Sequence, residues 1–555
     1  MRTAGHKPIA ITLTEDGAPL PVDAGVSVLG AARQNDIDIM ATCGGRGRCR
    51  SCRVKLIRGN ATAPGTADFS QLSTEEITEG YRLACQCYPQ SESSYAITPP
   101  TRETSFQILS EPGQWRDPQG LIDQASENAT PYGIAFDIGT TTVVGYLINL
   151  TTGATLACVS GLNPQTVFGG DLISRISYVA EKPTHVRKLH QRIATFLNDL
   201  GKHACERAGI SRAEICRVTV VGNTCMHHLL LGIDPTPLGH APYEPVFKAS
   251  YHCPARECGL RLNEDAQLYL LPIIAGFVGA DTVAMILSTE LGSRPGNVVA
   301  ADIGTNAEVV LKCDRGLIAC SSPAGPALEG GQIRDGMRAA FGAIDQVAVE
   351  RDIVIHTIGD APALGICGSG LIDAVAALLD LGIVDKSGRM HVEPETPLPA
   401  AIAARLRYGE DGSPEFVLAR PADSGNHQDI VLSQGDIRQL QLAKAAIMSA
   451  VQALLQQANL ECDDVDTFLL AGGFGNYLNI RSARRIGLIP DLAGDRIQYI
   501  ANAAGLGAQL ALLSDRCRRE AETIAVETKH LSLAGLDGFR KRYLGAMGFP
   551  VGIGQ

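Results

Sequence analysis

The chain has 555 residues, of which 45% are hydrophobic and 19% are charged. This length exceeds the ~100–200 residues of a typical domain, so we expect several domains with substantial apolar cores. The composition excludes a largely disordered or fibrous protein. The formal net charge is −11 and only 5% of the residues are aromatic. We find no basic patch interleaved with stacking rings and therefore expect no nucleic-acid partner.

The apolar segments of the chain give no sign of targeting or membrane insertion. Residues 1–14 alternate like a strand and lack the continuous apolar core of a secretory signal. Residues 268–287 contain Pro272 and Asp281, which favours a buried strand and helix over a membrane span. We predict a cytoplasmic protein without a membrane partner, in which the sixteen cysteines are reduced thiols or metal ligands.

A glycine-rich loop in the first hundred residues carries three cysteines. It reads A-T-C-G-G-R-G-R-C-R-S-C, with Cys43, Cys49 and Cys52, and a fourth thiol, Cys85, follows in R-L-A-C-Q. This arrangement is typical of a loop around a [2Fe–2S] cluster, because glycines let backbone N–H groups turn toward the sulfurs. A zinc knuckle is the alternative, although it does not explain Cys43. We interpret Cys87 as a spare core thiol.

The cysteine pattern resembles plant-type and adrenodoxin-type ferredoxins. Five residues separate the first two cysteines, as in adrenodoxin-like members. The resemblance implies a β-grasp domain over residues 1–98 with Cys43, Cys49, Cys52 and Cys85 as cluster ligands. Pro, Gly, Ser and acidic residues dominate the next segment, and we predict a linker over residues 99–130.

A strand-turn-strand pattern occurs twice further along the chain. It reads Y-G-I-A-F-D-I-G-T-T-T from Tyr132 and returns as V-V-A-A-D-I-G-T-N-A-E from Val298. Glycine lets N–H groups approach phosphate oxygens, threonine hydroxyls add donors, and aspartate at a strand end can hold Mg²⁺ or its waters. The candidate residues are Gly139, Thr140, Thr141, Thr142, Gly304, Thr305 and Asn306 for phosphate, and Asp137 and Asp302 for Mg²⁺.

A third glycine motif completes a set known from nucleotide-binding proteins. The buried strand 466–471 runs into Gly472 and Gly473, where backbone can lie against a base and ribose, and small residues fill 501–508. Together the segments resemble the phosphate-1, phosphate-2 and adenosine motifs of sugar kinases, heat-shock-70 chaperones and actin. By position, Asp281 falls in the first connecting motif of that superfamily, as an acid near the γ-phosphate; a helix N-cap is the alternative.

The whole chain resembles the reductive activators of corrinoid proteins. The shared motifs are C-x(5)-C-x(2)-C, D-I-G-T-T-T, N-P-Q, G-N-T-x-M-x-H, D-I-G-T-N and A-G-G-F-G. The resemblance implies a multidomain α+β and α/β protein. The ferredoxin domain and linker are followed by a two-lobed, ribonuclease H-like ATPase fold of the actin, sugar kinase and Hsp70 type. Its first lobe would span residues 131–292 and its second lobe residues 293–555.

The same resemblance implies a function. The protein would pass an electron from its cluster to a Co(II) corrinoid protein of a methyltransferase system and restore Co(I), with ATP hydrolysis coupled to the transfer. Asp137 and Asp302 would position Mg²⁺ and the attacking water, and Gly472 and Gly473 would lie at the adenosine. A reductase or a ferredoxin would supply the electron. The sequence leaves open whether the two-lobed part forms a homodimer.

Two other functions stay open at this point. A small-molecule kinase with a regulatory ferredoxin domain would turn over ATP only with a small acceptor. A non-hydrolysing electron carrier, with the nucleotide lobes as a docking scaffold, would have a reducible cluster and no ATPase activity.

Two further patterns are interpreted as structural. The G-N-T turn before an apolar helix predicts a capped helix start at Thr224, with hydrogen-bonded His227 and His228 inside the helix. Cys253 and Cys258 form a lone C-x(4)-C pair without a second dyad, so we predict no metal there.

Overall fold

The structure is a computed structural model that describes residues 8–13, 18–35, 37–41, 43–97, 131–472 and 478–551. The chain divides into two units. The first comprises Met1–Ser105, Leu162–Phe196 and Leu229–Ala241, and the second comprises Phe106–Gly161, Leu197–His228 and Pro242–Gln555. The predicted linker, residues 99–130, lies outside the described residues.

The N-terminal part of the first unit is a five-stranded sheet with one main covering helix. The strands are β1 (Ile9–Thr12), β2 (Leu20–Val22), β3 (Arg53–Arg58), β4 (Tyr81–Leu83) and β5 (Ser93–Ile97); the helices are α1 (Val28–Gln34), α2 (Thr66–Gln71) and α3 (Thr74–Thr78). In the order β2-β1-β5-β3-β4, β1 and β5 are parallel and the other neighbours are antiparallel. Val28 and Leu29 of α1 pack into the core beside Ile11 and Val54. This is the β-grasp fold that the cysteine pattern predicted.

A second part of the same unit contacts this domain. It contains α4 (Leu172–Glu181) and the first part of α5 (Thr184–Ala208). The contacts are an ion pair of Asp38 with Arg192 at 2.8 Å, a hydrogen bond from Arg33 to the Phe168 carbonyl at 3.2 Å, and Arg33 at 5.3 Å from the ring centre of Tyr178.

The second unit contains two six-stranded sheets. The strands of the first are β6 (Tyr132–Ile138), β7 (Thr142–Asn149), β8 (Thr155–Leu162), β9 (Ile215–Gly222), β10 (Tyr251–Pro254) and β11 (Gln267–Leu270). In the order β10-β11-β9-β6-β7-β8, β6 runs parallel to β9 and antiparallel to β7. Along the chain, α6 (Thr224–Leu231) follows β9, and α7 (Ala280–Ser288) follows β11.

The remaining elements lie C-terminal to α7. The strands are β12 (Val298–Ile303), β13 (Ala307–Cys313), β14 (Gly316–Ser322), β15 (Ala343–Val349), β16 (Ile353–Thr357), β17 (Gly365–Ile366), β18 (Leu406–Tyr408), β19 (Pro414–Ala419), β20 (Ile430–Ser433), β21 (Thr467–Ala471), β22 (Ile497–Tyr499) and β23 (Lys529–His530). The helices are α8 (Gly368–Asp380), α9 (Ala400–Ala403), α10 (Gln434–Ala458), α11 (Ile480–Ile486), α12 (Ala503–Leu513), α13 (Asp515–Glu527) and α14 (Phe539–Met547). In the part of the chain that the structure describes, no helix is both long enough and apolar enough to cross a bilayer.

The second six-stranded sheet repeats the plan of the first. Its order is β22-β21-β12-β13-β14-β23, and β12 runs parallel to β21 and antiparallel to β13, as β6 does with β9 and β7. The near-continuous apolar sequences of β6 and β12 are typical of strands buried on both faces. The repeated D-I-G-T motif thus belongs to a repeated architecture, which confirms the predicted two-lobed fold.

Helices α7 and α12 join the two sheets through one apolar core. Tyr146 of the first sheet and Val310 of the second both belong to that core. A Cβ added to Gly507 of α12 would lie 2.2 Å from the carbonyl oxygen of Ala284 in α7. The two helix backbones therefore approach as closely as glycine alone permits, which explains the small residues predicted to pack in this segment.

Candidate cluster-binding and nucleotide-binding sites

The four predicted cluster ligands converge in the first unit. Cys43, Cys49 and Cys52 lie on the loop between α1 and β3, and Cys85 follows β4. All four are at most 7% exposed. Their thiols form two hydrogen-bonded pairs, Cys43 with Cys49 and Cys52 with Cys85.

The electrostatics of the loop favour one thiolate in each pair. The hydrogen bond from Cys49, with backbone N–H donors that include Arg48 at 3.5 Å, lowers the pKa of Cys43 to about 5. The hydrogen bond from Cys52 likewise lowers the pKa of Cys85 to about 7. The pKa values of the two donor thiols are raised by the same bonds and by burial. Each pair therefore holds one thiol that ionises readily and one that donates to it.

The donor set fits a [2Fe–2S] cluster, because two thiol pairs match two irons with two thiolates each. Among the described residues, no group of three His, Cys, Asp or Glu side chains is placed around a single metal ion. Gly44, Gly45 and Gly47 all have positive φ, at 69°, 91° and 68°, so the loop needs glycine to turn its N–H groups inward. When bound, the cluster supplies a single electron at low potential.

The neighbouring residues keep Cys85 opposite the loop. The carboxylate of Asp68 is 2% exposed and accepts hydrogen bonds from the N–H groups of Leu83 and Gly65. The N–H of Ala84 donates to the carbonyl of Cys52 at 2.8 Å. Cys87, two residues beyond Cys85, lies instead in the apolar core beside the hydroxyl of Tyr95, and burial raises its pKa to about 11.

The predicted magnesium-binding acids meet in the second unit. Asp137 lies near the end of β6 and Asp302 takes the same position in β12. Burial raises the pKa of Asp137 to about 6, although a hydrogen bond from Asn502 at 3.0 Å opposes the shift. Burial, and then the charges of Asp281 and Asp137, raise the pKa of Asp302 to about 7. The structure thus brings the three predicted acids within electrostatic reach of one another.

Asp281 lies in the first turn of α7 and does not cap it. The N-cap residue is Gly279, so the alternative interpretation of Asp281 as a plain N-cap is wrong. Burial raises the pKa of Asp281 to about 7, and the charge of Asp137 adds to the shift, whereas the N–H of Thr282 at 2.7 Å opposes it. Asp281 therefore groups with Asp137 and Asp302 and lies at the N-terminal end of α7.

Glu308 is a fourth acid that the sequence analysis missed. It lies on β13 directly opposite Asp302, it is 9% exposed, and Ser321 donates to it at 3.2 Å. Burial, together with the charges of Asp281 and Asp302, raises its pKa well above the usual range. The available signal was a glutamate within the apolar run that follows D-I-G-T-N.

The two predicted phosphate loops also meet. Gly139, Thr140 and Thr141 form the turn between β6 and β7, Thr142 begins β7, and Gly304 to Asn306 form the turn between β12 and β13. A Cβ on Gly139 would lie 2.6 Å from the carbonyl oxygen of Thr142, so this turn requires glycine. The hydroxyls of Thr141 and Thr305 are 3.2 Å apart.

Glu329 connects these two loops and was also missed by the sequence analysis. It ends the 3₁₀ helix Pro326–Glu329. Its carboxylate accepts a hydrogen bond from the Thr141 hydroxyl at 2.7 Å, and from the N–H and hydroxyl of Thr305 at 3.0–3.1 Å. No residue pattern in the sequence places this glutamate beside motifs that are 24 and 188 positions away.

The adenosine motif is only partly described. Gly472 has φ of 120°, and a Cβ there would lie 2.4 Å from the carbonyl oxygen of Ile303, so glycine lets the ends of β21 and β12 approach. Gly473, the other predicted adenosine residue, lies outside the described residues.

The two predicted structural motifs gave mixed results. His228 is hydrogen-bonded to the Thr224 carbonyl and to the N–H of Val246. The prediction was wrong for His227, which is fully buried and whose ring nitrogens have no hydrogen-bond partner among the described residues. The sulfurs of Cys253 and Cys258 lie 3.6 Å apart in a buried thiol pair.

Three family models match consecutive parts of the chain. The 2Fe-2S iron-sulfur cluster binding domain matches residues 11–90. The RACo middle region matches residues 132–294, and the C-terminal domain of RACo, the ASKHA domain, matches residues 296–553. The acronym denotes the superfamily of sugar kinases, Hsp70 chaperones and actin that the three nucleotide motifs indicated.

Individual relatives cover most of the chain. It is 36% identical over 415 residues to the corrinoid activation enzyme RamQ of Eubacterium limosum, across 74% of this chain and 69% of RamQ. It is 26% identical over 452 residues to the reductase of the Co(II) methylated amine-specific corrinoid protein of Methanosarcina barkeri, across 74% and 76% of the two chains. The solved structure of a reductive activator for corrinoid, iron-sulfur protein shares 32% identity and a TM-score of 0.70, with 98% of each chain covered. The chain therefore belongs to the family of reductive activators of corrinoid proteins.

Proposed function

We propose that this protein reduces the Co(II) form of a corrinoid protein to Co(I) and couples that transfer to the hydrolysis of MgATP. Cobalt gains one electron, the cluster held by Cys43, Cys49, Cys52 and Cys85 loses one, and an external reductase or ferredoxin restores it. The observation that carries the ATP-dependent part is the 3.2 Å approach of the Thr141 and Thr305 hydroxyls, in the turns that follow the strands of Asp137 and Asp302.

The residues of the second unit have distinct roles in this proposal. The N–H and hydroxyl groups of the two D-I-G-T turns donate to the phosphate oxygens of the nucleotide. Asp137 and Asp302 bind Mg²⁺ or its waters, and Asp281 and Glu308 complete the acidic surface around them. Mg²⁺ usually takes one or two carboxylates, substrate phosphates and waters, so it needs no preformed cage of protein ligands.

The acid cluster also suits the hydrolysis step. Groups with a pKa near the working pH are effective in proton transfer, and the pKa values of Asp281 and Asp302 are raised to about 7. One of these carboxylates can orient the attacking water and accept its proton, while bound Mg²⁺ offsets the charge of its neighbours. Gly472, and by the motif Gly473, leave room for the adenosine.

The coupling of ATP to electron transfer rests on population shift. A ligand changes the balance between two conformations only through its differential affinity for them. Phosphate donors from two lobes contact one nucleotide, so ATP favours the conformation in which the lobes are closed. We propose that the corrinoid protein accepts the electron from that conformation.

The direct test is an anaerobic assay. The chemically reduced holoprotein is mixed with a Co(II) corrinoid protein, and the Co(I) absorbance band is followed with and without MgATP. We expect repeated formation of Co(I) only with MgATP. With the non-hydrolysable analogue AMPPNP we expect at most one electron transferred per protein molecule, because binding alone closes the lobes. Equal Co(I) formation in all three conditions would indicate an electron carrier that does not use ATP. Turnover of ATP only after addition of a small hydroxylated acceptor would indicate a kinase.

A further inference from the structure

The carboxylate of Glu329 takes the place between the two phosphate loops that an anion should occupy. Its four contacts are one bond to Thr141 and three to Thr305, all from hydroxyl or N–H donors. Hydrogen bonds from such donors to an ionised oxygen are shorter and stronger than those between neutral groups. A terminal phosphate of a nucleotide would use the same kind of donor.

Burial explains why the hydroxyl groups of the two loops are paired with the Glu329 carboxylate. Thr141 is 9% exposed and Thr305 is 6% exposed. Buried polar groups without partners are costly, so these hydroxyls need an acceptor inside the protein. Glu329 provides that acceptor and ties the first D-I-G-T turn to the second.

Two anions cannot share these donors. A phosphate that enters between Thr141 and Thr305 would meet the Glu329 carboxylate at the same hydroxyl and N–H donors. Like charges in a partly buried region repel strongly. Burial lowers the pKa of the Arg338 guanidinium, and the charge of nearby Glu329 opposes that shift, so a cation lies within electrostatic reach of this carboxylate.

We propose that Glu329 is an internal latch that occupies the terminal-phosphate position and must be expelled when ATP binds. The latch holds the two phosphate loops together in the nucleotide-free protein and lowers the apparent affinity for nucleotide. This inference rests on the proposed nucleotide-binding function of the second unit. It adds that the protein's own carboxylate competes for the terminal-phosphate position.

The test compares binding of Mg·AMPPNP to the holoprotein and to three variants by isothermal titration calorimetry. We expect E329A to bind about tenfold more tightly than the original protein, because no charged hydrogen bonds have to be broken. E329Q should change the affinity in the same direction and by less, because a neutral amide oxygen still accepts. E350Q is the matched control, since Glu350 is an exposed glutamate of the same lobe in the turn after β15.

Salt separates the latch from a general charge effect. The screening length falls from about 8 Å at 0.15 M salt to about 3 Å at 1 M, so long-range repulsion is largely lost at high salt. We expect the gain of E329A to persist at 1 M salt. A gain that disappears there, or that E350Q reproduces, would overturn the latch.

Hydrogen exchange provides the second readout. It distinguishes loss of the Glu329 contacts from any other cause of a changed nucleotide affinity. In the nucleotide-free state, E329A should exchange faster than the original protein in peptides that contain Thr141 and Thr305, and the difference should vanish with Mg·AMPPNP. Unchanged or weaker binding by E329A, while the original protein binds, would overturn the latch alone. Absence of binding by all four proteins would overturn both the latch and the proposed nucleotide function.

Discussion

Cys85 and Cys87 show how two equal side chains, two residues apart, acquire different chemistry. Cys85 follows a turn that brings it to Cys52, and the hydrogen bond between them lowers its pKa to about 7. Cys87 lies in the core, where burial raises its pKa to about 11. A thiolate binds iron, whereas a protonated core thiol behaves as a small apolar side chain.

We therefore expect C85S to lose the cluster and C87S to retain it. Serine at position 85 removes one of four ligands, while serine at position 87 only places a hydroxyl in the core and costs about 1 kcal/mol or more of stability. Iron content and the visible absorbance of the anaerobically purified proteins are the measurements. An iron content of C85S equal to that of the original protein would remove Cys85 from the ligand set.

The acid cluster of the second unit makes the nucleotide-free protein sensitive to pH. The pKa values of Asp137, Asp281 and Asp302 are about 6 to 7 in the fold, against 3.8 for an unperturbed aspartate. Between about pH 4 and pH 7 the folded state therefore binds more protons than the unfolded state. Stability must fall as the pH rises through this range, and the penalty is fully present above it.

Removal of one of these charges should stabilise the protein and abolish its ATPase activity. We expect D302N to raise Tm at pH 8 in the presence of EDTA by roughly 2–4 °C, which corresponds to about 1 kcal/mol for a domain of this size. At pH 5 the gain should be smaller, because Asp302 is then largely protonated. The measurements are thermal unfolding at both pH values and MgATP turnover. A lower Tm at pH 8 would contradict the origin assigned to the pKa shift.

At the scale of elements, α7 and α12 approach each other closely. Both helices pack against residues of both sheets, and Gly507 lies directly against the carbonyl of Ala284. Asp281 lies in the first turn of α7, and Asn502, the N-cap of α12, donates to Asp137. The spacing of this helix pair therefore sets the positions of two groups in the acid cluster.

Two glycine-to-alanine substitutions test the role of this spacing. G507A places a methyl group 2.2 Å from a carbonyl oxygen, and such overpacking typically costs about 1–3 kcal/mol. G201A in α5 is the control, because its new Cβ has no atom within 4 Å and alanine favours a helix over glycine by about 0.5–1 kcal/mol. Urea unfolding should show a loss for G507A and no loss for G201A. Similar stability of both would contradict the close packing.

At the scale of the whole molecule, the chain combines an electron-carrying domain with a nucleotide-binding fold. The first has two thiol pairs on a glycine-rich loop, and the second has donors from two lobes around one acid cluster. Electron transfer itself needs no acid or base, so our proposal assigns the acids to the nucleotide. The anaerobic Co(I) assay therefore tests both parts, because loss of either the cluster or the nucleotide site should stop ATP-dependent reduction.

Much of the fold and of the two candidate sites could be predicted from the sequence alone, because the main sequence signals are local. A glycine-rich C-x(5)-C-x(2)-C loop specifies its fold around a cluster within ten residues. The two D-I-G-T turns specify their strand-turn-strand geometry in the same way, since glycine and threonine determine the turn and the donors. Repetition of that local pattern predicted an internal duplication, and the resemblance to sugar kinases, Hsp70 chaperones and actin implied the two lobes.

Tertiary structure decided the features that depend on distant partners. Glu308 became part of the acid cluster because β13 pairs with β12, and Glu329 reached Thr141 across 188 positions of sequence. Within the described residues, the ring nitrogens of the buried His227 lack the predicted hydrogen-bond partner, which the local helix pattern could not reveal. Local patterns fix backbone turns and donor groups, but the neighbours of a buried side chain are set by packing between segments far apart in the chain.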